Sequence, residues 1–155
     1  MTKKILLSTV IASTLLLSTQ AGAEDATGTA NFNLVYPITV AQTEQMEFGD
    51  VSIAADGQCA LDYSDTTSGA ACVAGGNTAN TGLFTVTAAD GTVNLSLSAA
   101  DTSVSGVTFT PTLASATGTV ASNTLAVDVG GTLDIVAASA APGTHALTYT
   151  LSVTY

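Results

Sequence analysis

From Ala26 to Val40 every even position is apolar or small (Ala26, Gly28, Ala30, Phe32, Leu34, Tyr36, Ile38, Val40), while Thr27, Thr29, Asn31, Asn33 and Thr39 take the other face. A period of two is that of a strand with one face buried, so 26–40 is expected as one long half-buried strand. Pro37 should bend or end it, because proline cannot donate to a ladder. At the other end His145, Leu147, Tyr149, Leu151, Val153 and Tyr155 alternate with Thr144, Ala146, Thr148, Thr150, Ser152 and Thr154, predicting a second long strand.

Two hairpins are expected between them. Leu83 to Ala88 and Val93 to Ser98 flank Asp90-Gly91, and a two-residue type I′ turn there pairs 88 with 93, 86 with 95 and 84 with 97. The second runs through Leu125–Val129 and Leu133–Ile135. Only a three-residue loop, 130–132, keeps its apolar positions on one face, opposing Val129 to Leu133 and Val127 to Ile135. That register also opposes Asp128 to Asp134, a repulsive pair unless solvated or bridged by a cation. Strands are further expected at Gln45–Ile53 and Val107–Leu113, with a loop from Cys59 to Asn80. No helix-period run follows residue 23. Roughly seven or more short strands in one domain predict an all-β antiparallel sandwich, most simply immunoglobulin-like.

Charge narrows the function. Lys3 and Lys4 are the only basic residues other than His145, and all twelve Asp and Glu lie from Glu24 onward. The lysines, the apolar run from Ile5 to Leu17 and the small-residue site Ala21-Gly22-Ala23 have the order of a bacterial-looking export signal, cleaved after Ala23. The run is broken by Ser and Thr and is short for a bilayer span, so no integral membrane segment is expected in the mature chain. Without Lys or Arg, nucleic-acid binding is excluded, since affinity for a phosphate backbone comes mainly from basic side chains displacing counterions. Phosphoryl transfer lacks its cationic clamps for the same reason.

Cys59 and Cys72 are the only cysteines, and an even pair in an exported chain is expected as a disulfide stapling the 59–72 loop. One histidine with no free Cys or Ser motif argues against nucleophilic catalysis, and neither an enzyme nor a cofactor is expected. Carboxylates at Asp56, Asp62 and Asp65, and at Asp128 with Asp134, are candidate calcium ligands, although neither set follows a calcium-loop spacing and a solvated acidic surface is the favoured reading.

Tyr36-Pro37-Ile38-Thr39-Val40, Met46-Glu47-Phe48-Gly49, Phe84-Thr85-Val86-Thr87, Gly130-Gly131-Thr132-Leu133, Ala141-Pro142-Gly143 and the ending Tyr149 to Tyr155 together resemble a family of bacterial exported β-domains similar in layout to spore-coat-U-type and chaperone-usher pilus subunits. The resemblance implies a sandwich lacking its final strand, completed by a strand donated from a neighbouring copy. It implies Gly28, Ala30, Phe32 and Leu34 as donor residues, and Leu147, Tyr149, Leu151, Val153 and Tyr155 as the acceptor edge. Two departures stand out: a single patterned segment, 26–40, must serve as donor, first strand or both, and no residue follows Tyr155.

The expected organisation is a signal peptide at 1–23, a donor or first strand at 24–36 and one sandwich domain at 37–155. The expected function is a structural subunit of an extracellular fibre or pilus, exported through the periplasm with a chaperone and an outer-membrane usher. The alternative is a monomeric secreted or surface adhesion module, with calcium as a candidate ligand.

Overall fold

The computed structural model describes residues 24–155, so the export signal lies outside the described residues. Nine strands follow in order: β1 (Thr39–Glu44), β2 (Gly57–Leu61), β3 (Thr67–Ser68), β4 (Gly82–Thr87), β5 (Gly91–Leu97), β6 (Val107–Leu113), β7 (Thr117–Val120), β8 (Thr124–Ile135) and β9 (Leu151–Thr154). All pair antiparallel and, among the described residues, there is no helix. One sheet runs β1-β4-β8-β2-β3 with β6 also on β8, and the other runs β7-β5-β9. They pack as the expected all-β sandwich.

β8 organises the larger sheet. Val127, Val129, Leu133 and Ile135 are buried while Asp128 and Asp134 are exposed, so the strand holds one alternation throughout. Its first half pairs with β4, and its second half lies between β2 and β6. The expected hairpin at 130–132 is therefore absent. Gly130 and Gly131 serve close approach instead of a turn: a Cβ on Gly130 would stand 2.6 Å from the Leu61 carbonyl oxygen, and one on Gly131 would stand 2.5 Å from the Phe109 ring. Asp128 and Asp134 consequently do not oppose each other but lie on one strand, about 20 Å apart at strand rise.

The hairpin expected at Asp90-Gly91 is also absent. β4 and β5 belong to different sheets, and the turn is an arch between layers. Phe84, Val86, Ala88, Val93 and Leu95 do share a face, meeting Val120, Val127, Val129 and Leu151 in the core. Periodicity reports which face is buried but not which strand is the neighbour. The arch is pinned by Asn123, whose N–H donates to Asp90 (2.6 Å) and whose side-chain amide donates to the Ala88 carbonyl (3.1 Å). Asn123 and Ser122 carry φ of 62° and 53°, placing a tight turn at a point where no glycine marks it. Val86, Val93 and Val129 are fully buried, each contributing about 2 kcal/mol of apolar burial.

A smaller core joins Cys59, Ala71, Phe109, Leu133 and Ile135. Met46 and Tyr149 pack against both cores. The interval expected as a loop from Cys59 to Asn80 holds the end of β2 and all of β3. Gln45–Ile53, expected as a strand, makes only isolated bridges from Glu47 to Asn80 and from Val51 to Cys72.

Cys59 and Cys72 form the expected disulfide, with Cα atoms 4.9 Å apart. Because Cys59 sits in the floor of the smaller core, reduction is expected to cost about 3 kcal/mol by the loop-entropy model. Urea denaturation with and without reductant measures it.

Leu34–Tyr155 form one compact unit, to which residues 24–33 do not belong. Residues 24–33 are exposed and contain no strand, so the expected strand over 26–40 is reduced to its last two residues, the start of β1. The strand expected over 145–155 is likewise reduced to β9. Both failures have one cause, since alternation makes a strand possible and a ladder partner makes it form.

Candidate functional site

The incomplete carboxy-terminal strand borders a groove of about 920 Å³. One rim is Gln42 and the Gln45–Val51 stretch, with Ile53; the other is Ala140–Tyr149; Phe109, Leu133, Ile135 and Val107 form the floor. The groove therefore runs over the smaller core, whose Phe109, Leu133 and Ile135 are themselves buried.

The first rim joins the end of an edge strand, β1, to the 45–51 stretch, whose Glu47 and Asp50 bond to Asn80 and Val73. β1 pairs with β4 on one side only, and all six of its residues are exposed. On the opposite rim the Ser98 N–H donates to the Thr150 carbonyl (3.0 Å), the Thr150 N–H to the Ser98 hydroxyl (3.1 Å) and the Thr148 N–H to Asp101 (2.7 Å). Even-numbered residues therefore face β5 and its continuation. By strand alternation, the backbone groups of Leu147 and Tyr149 face the groove. Unpaired edges of this kind are templates for an added strand.

Asp101 fixes the rim where β5 has run out. Its carboxylate accepts from the Thr148 N–H and hydroxyl and from the Ser103 N–H (2.8 Å). These bonds, the Thr148 amide foremost, hold its pKa down at about 2. A carboxyl depressed on folding stabilises above its unfolded value of about 3.9, and that stabilisation is lost as pH falls through the folded value. The 144–150 rim is therefore expected to loosen between pH 4 and 2, with the Thr148 amide shift in an NMR titration reporting a midpoint near 2. Asp101→Asn should loosen the rim at neutral pH and flatten that titration.

Tyr149 lines the groove. Its ring meets Phe84 and Phe109 edge-on, both at 5.7 Å between centroids, and Gln42 Nε2 donates across the groove to its hydroxyl (3.4 Å). Partial burial raises its pKa from the usual value near 10. Of the other acceptor candidates, Leu147 lines the groove, while Leu151 and Val153 belong to β9 and face the larger core. Tyr155 donates its hydroxyl to the Tyr36 carbonyl (2.6 Å) and accepts from the Ala89 N–H (3.2 Å). His145 stands on the rim with Nε2 2.9 Å from the Ala141 carbonyl oxygen.

The donor candidates Gly28, Ala30, Phe32 and Leu34 lie on exposed chain, with Phe32 80% and Leu34 86% accessible. The acidic candidates are dispersed. Asp56 accepts from the Ala137 N–H, Asp62 from the Ser64 and Thr66 N–H groups, Asp65 from the Thr81 N–H and hydroxyl, and Asp134 from Gln58 Nε2. Among the described residues no three His, Cys, Asp or Glu side chains are placed to hold a metal ion.

Sequence reading missed Gln42, Phe48 and Phe109 as groove residues and Asp101 as the partner of Thr148 on the rim. Phe109 was legible as a core position of the 107–113 strand. Asp101 carried no pattern, because its role depends on β5 ending beside it.

Comparison of the chain with protein-family models, curated proteins and solved structures finds no match. Among the described residues, no helix is long and apolar enough to cross a membrane.

Proposed function

We propose that the protein is the structural subunit of an extracellular fibre or pilus, assembled by donor-strand complementation. One observation carries the reading: a groove of about 920 Å³ runs beside the edge strand β1 and the 144–149 segment, over apolar floor residues, in a chain whose amino-terminal segment has strand alternation and no partner strand. A strand laid in the groove could bond to both rims and seal the floor with its alternate side chains. Gly28, Ala30, Phe32 and Leu34 of a neighbouring copy are the proposed inserts, and Leu147 and Tyr149 the rim they meet, with Leu151, Val153 and Tyr155 continuing the acceptor edge.

The disulfide suits an oxidising compartment, and the sequence-level export signal leads the same way. A groove open to solvent would need cover during transit, the role proposed for a periplasmic chaperone, with an outer-membrane usher releasing the subunit to the fibre. The reading is structural rather than enzymatic, since His145, the one imidazole on the rim, has a ring nitrogen engaged with its own loop.

Size-exclusion chromatography and electron microscopy of the purified mature protein test the reading. Concentration-dependent fibres are expected. A protein that stays monomeric across a wide concentration range, with residues 26–40 protected from hydrogen exchange within its own domain, would point to the self-contained adhesion module.

A further inference from the structure

We propose that a second recess, beside the first half of β8, takes an arginine side chain presented by a different protein. It shares no lining residue with the groove, and the inference does not depend on assembly.

The recess holds about 190 Å³ between the β6–β7 turn and Leu125–Asp128 of β8, with Tyr63 and Leu95 completing its lining. It lies where one ladder stops. β6 pairs with β8 only as far as Leu113 opposite Val129, whereas β8 runs back to Thr124 against β4. Leu113 and Leu125 are left half-buried there, beside the buried Leu95 and Val127, so the recess has an apolar lining. Gly118 leaves these side chains their room, since a Cβ on it would stand 2.5 Å from Leu125 Cδ2 and 3.5 Å from Leu95 Cδ1.

Two lining groups give the recess its chemistry. Asp128 is exposed, and among the described residues its carboxylate accepts no hydrogen bond. Every other aspartate from Asp50 to Asp134 accepts at least one N–H of the fold. The Ser115 hydroxyl, also in the lining, is taken by the Thr117 N–H (3.1 Å). Tyr63 lies close to Asp128. A Cβ on Gly130 would come within 3.3 Å of the Tyr63 ring, and Gly130 shares a face of β8 with Asp128, about 7 Å along the strand.

An aromatic ring and an unspent carboxylate over leucines suit an amphipathic cation, its stem on the apolar lining and its head beside the ring and the acid. Guanidinium fits better than ammonium, because it stacks on an aromatic face and offers a carboxylate two parallel donors. The size agrees: small-molecule sites begin at about 300 Å³, and a cavity of about 150 Å³ already accepts one benzene ring. Anionic ligands are disfavoured, since no Lys or Arg follows Lys4. For the same reason a second copy of the mature chain cannot supply the arginine.

The test titrates acetyl-arginine-amide and its uncharged isostere acetyl-citrulline-amide into the mature protein, held below the concentration of fibre growth. NMR follows the methyl groups of Leu113, Leu125 and Val127. The arginine probe is expected to shift them to saturation in the millimolar range, and the citrulline probe to need about tenfold more, the scale of one charge-assisted hydrogen bond. Asp128→Asn, an exposed change, should leave the melting temperature in place and remove that difference. Equal responses to the two probes, a difference that survives Asp128→Asn, or shifts confined to the acidic stretch Glu44–Asp50 would each overturn the proposal, as would methyl groups that do not respond to arginine.

Discussion

Replacing Phe32 and Leu34 together by aspartate is expected to abolish fibres while leaving the fold of 37–155 unchanged. Both side chains are exposed in the isolated subunit, so the change removes no core contact there. In the filled groove the pair would bury two large apolar groups worth about 5 kcal/mol, roughly three to four powers of ten in affinity. Two carboxylates in their place would carry a further desolvation cost. Sedimentation should show only monomer or chaperone-bound subunit, with an unaltered urea midpoint. A fall of several kcal/mol in the monomer's own stability would instead mean that the segment is part of its parent core.

Gly131→Val is expected to have the largest effect on the fold itself. Its Cβ would stand 2.5 Å from the Phe109 ring and 3.0 Å from the Thr110 carbonyl oxygen, so the ring or the β6 backbone must move. Phe109 also supports Phe48 and Tyr149 at 5.9 Å and 5.7 Å, which spreads the shift into the groove floor. A loss of about 3 kcal/mol follows, lowering the melting temperature by about 10 °C. Gly130→Asn distinguishes the continuous strand from a turn. Asparagine suits a left-handed turn position, but in β8 its Cβ would crowd the Leu61 carbonyl, and destabilisation is expected.

The burial of this fold was more legible in the sequence than its pairing. Alternation placed Phe84, Val86, Val93, Leu95, Val127 and Val129 on inward faces, and the structure buries all of them. It assigned the wrong neighbours at Asp90-Gly91 and at Gly130-Gly131, because glycine marks an arch, a close approach and a hairpin with the same residue. The strands at 107–113 and the disulfide needed only local information. The groove was not local. Its lining is drawn from 42–53, 107–109, 133–135 and 140–149, which only the tertiary fold brings together. Gln42 and Asp101, which bind the rim from either side, gain their roles from that geometry and carry no signature of their own.

The central claim is that the open groove is filled by the amino-terminal segment of another copy. Fibres grown from an equal mixture of two isotopically labelled pools, one reporting the Phe32 ring and the other the Phe109 and Leu133 side chains, test it most directly by solid-state NMR. Magnetisation transfer between Phe32 of one pool and Phe109 or Leu133 of the other is the predicted result. Fibres in which Phe32 shows transfer only within its own pool, or to neither residue, would contradict the account.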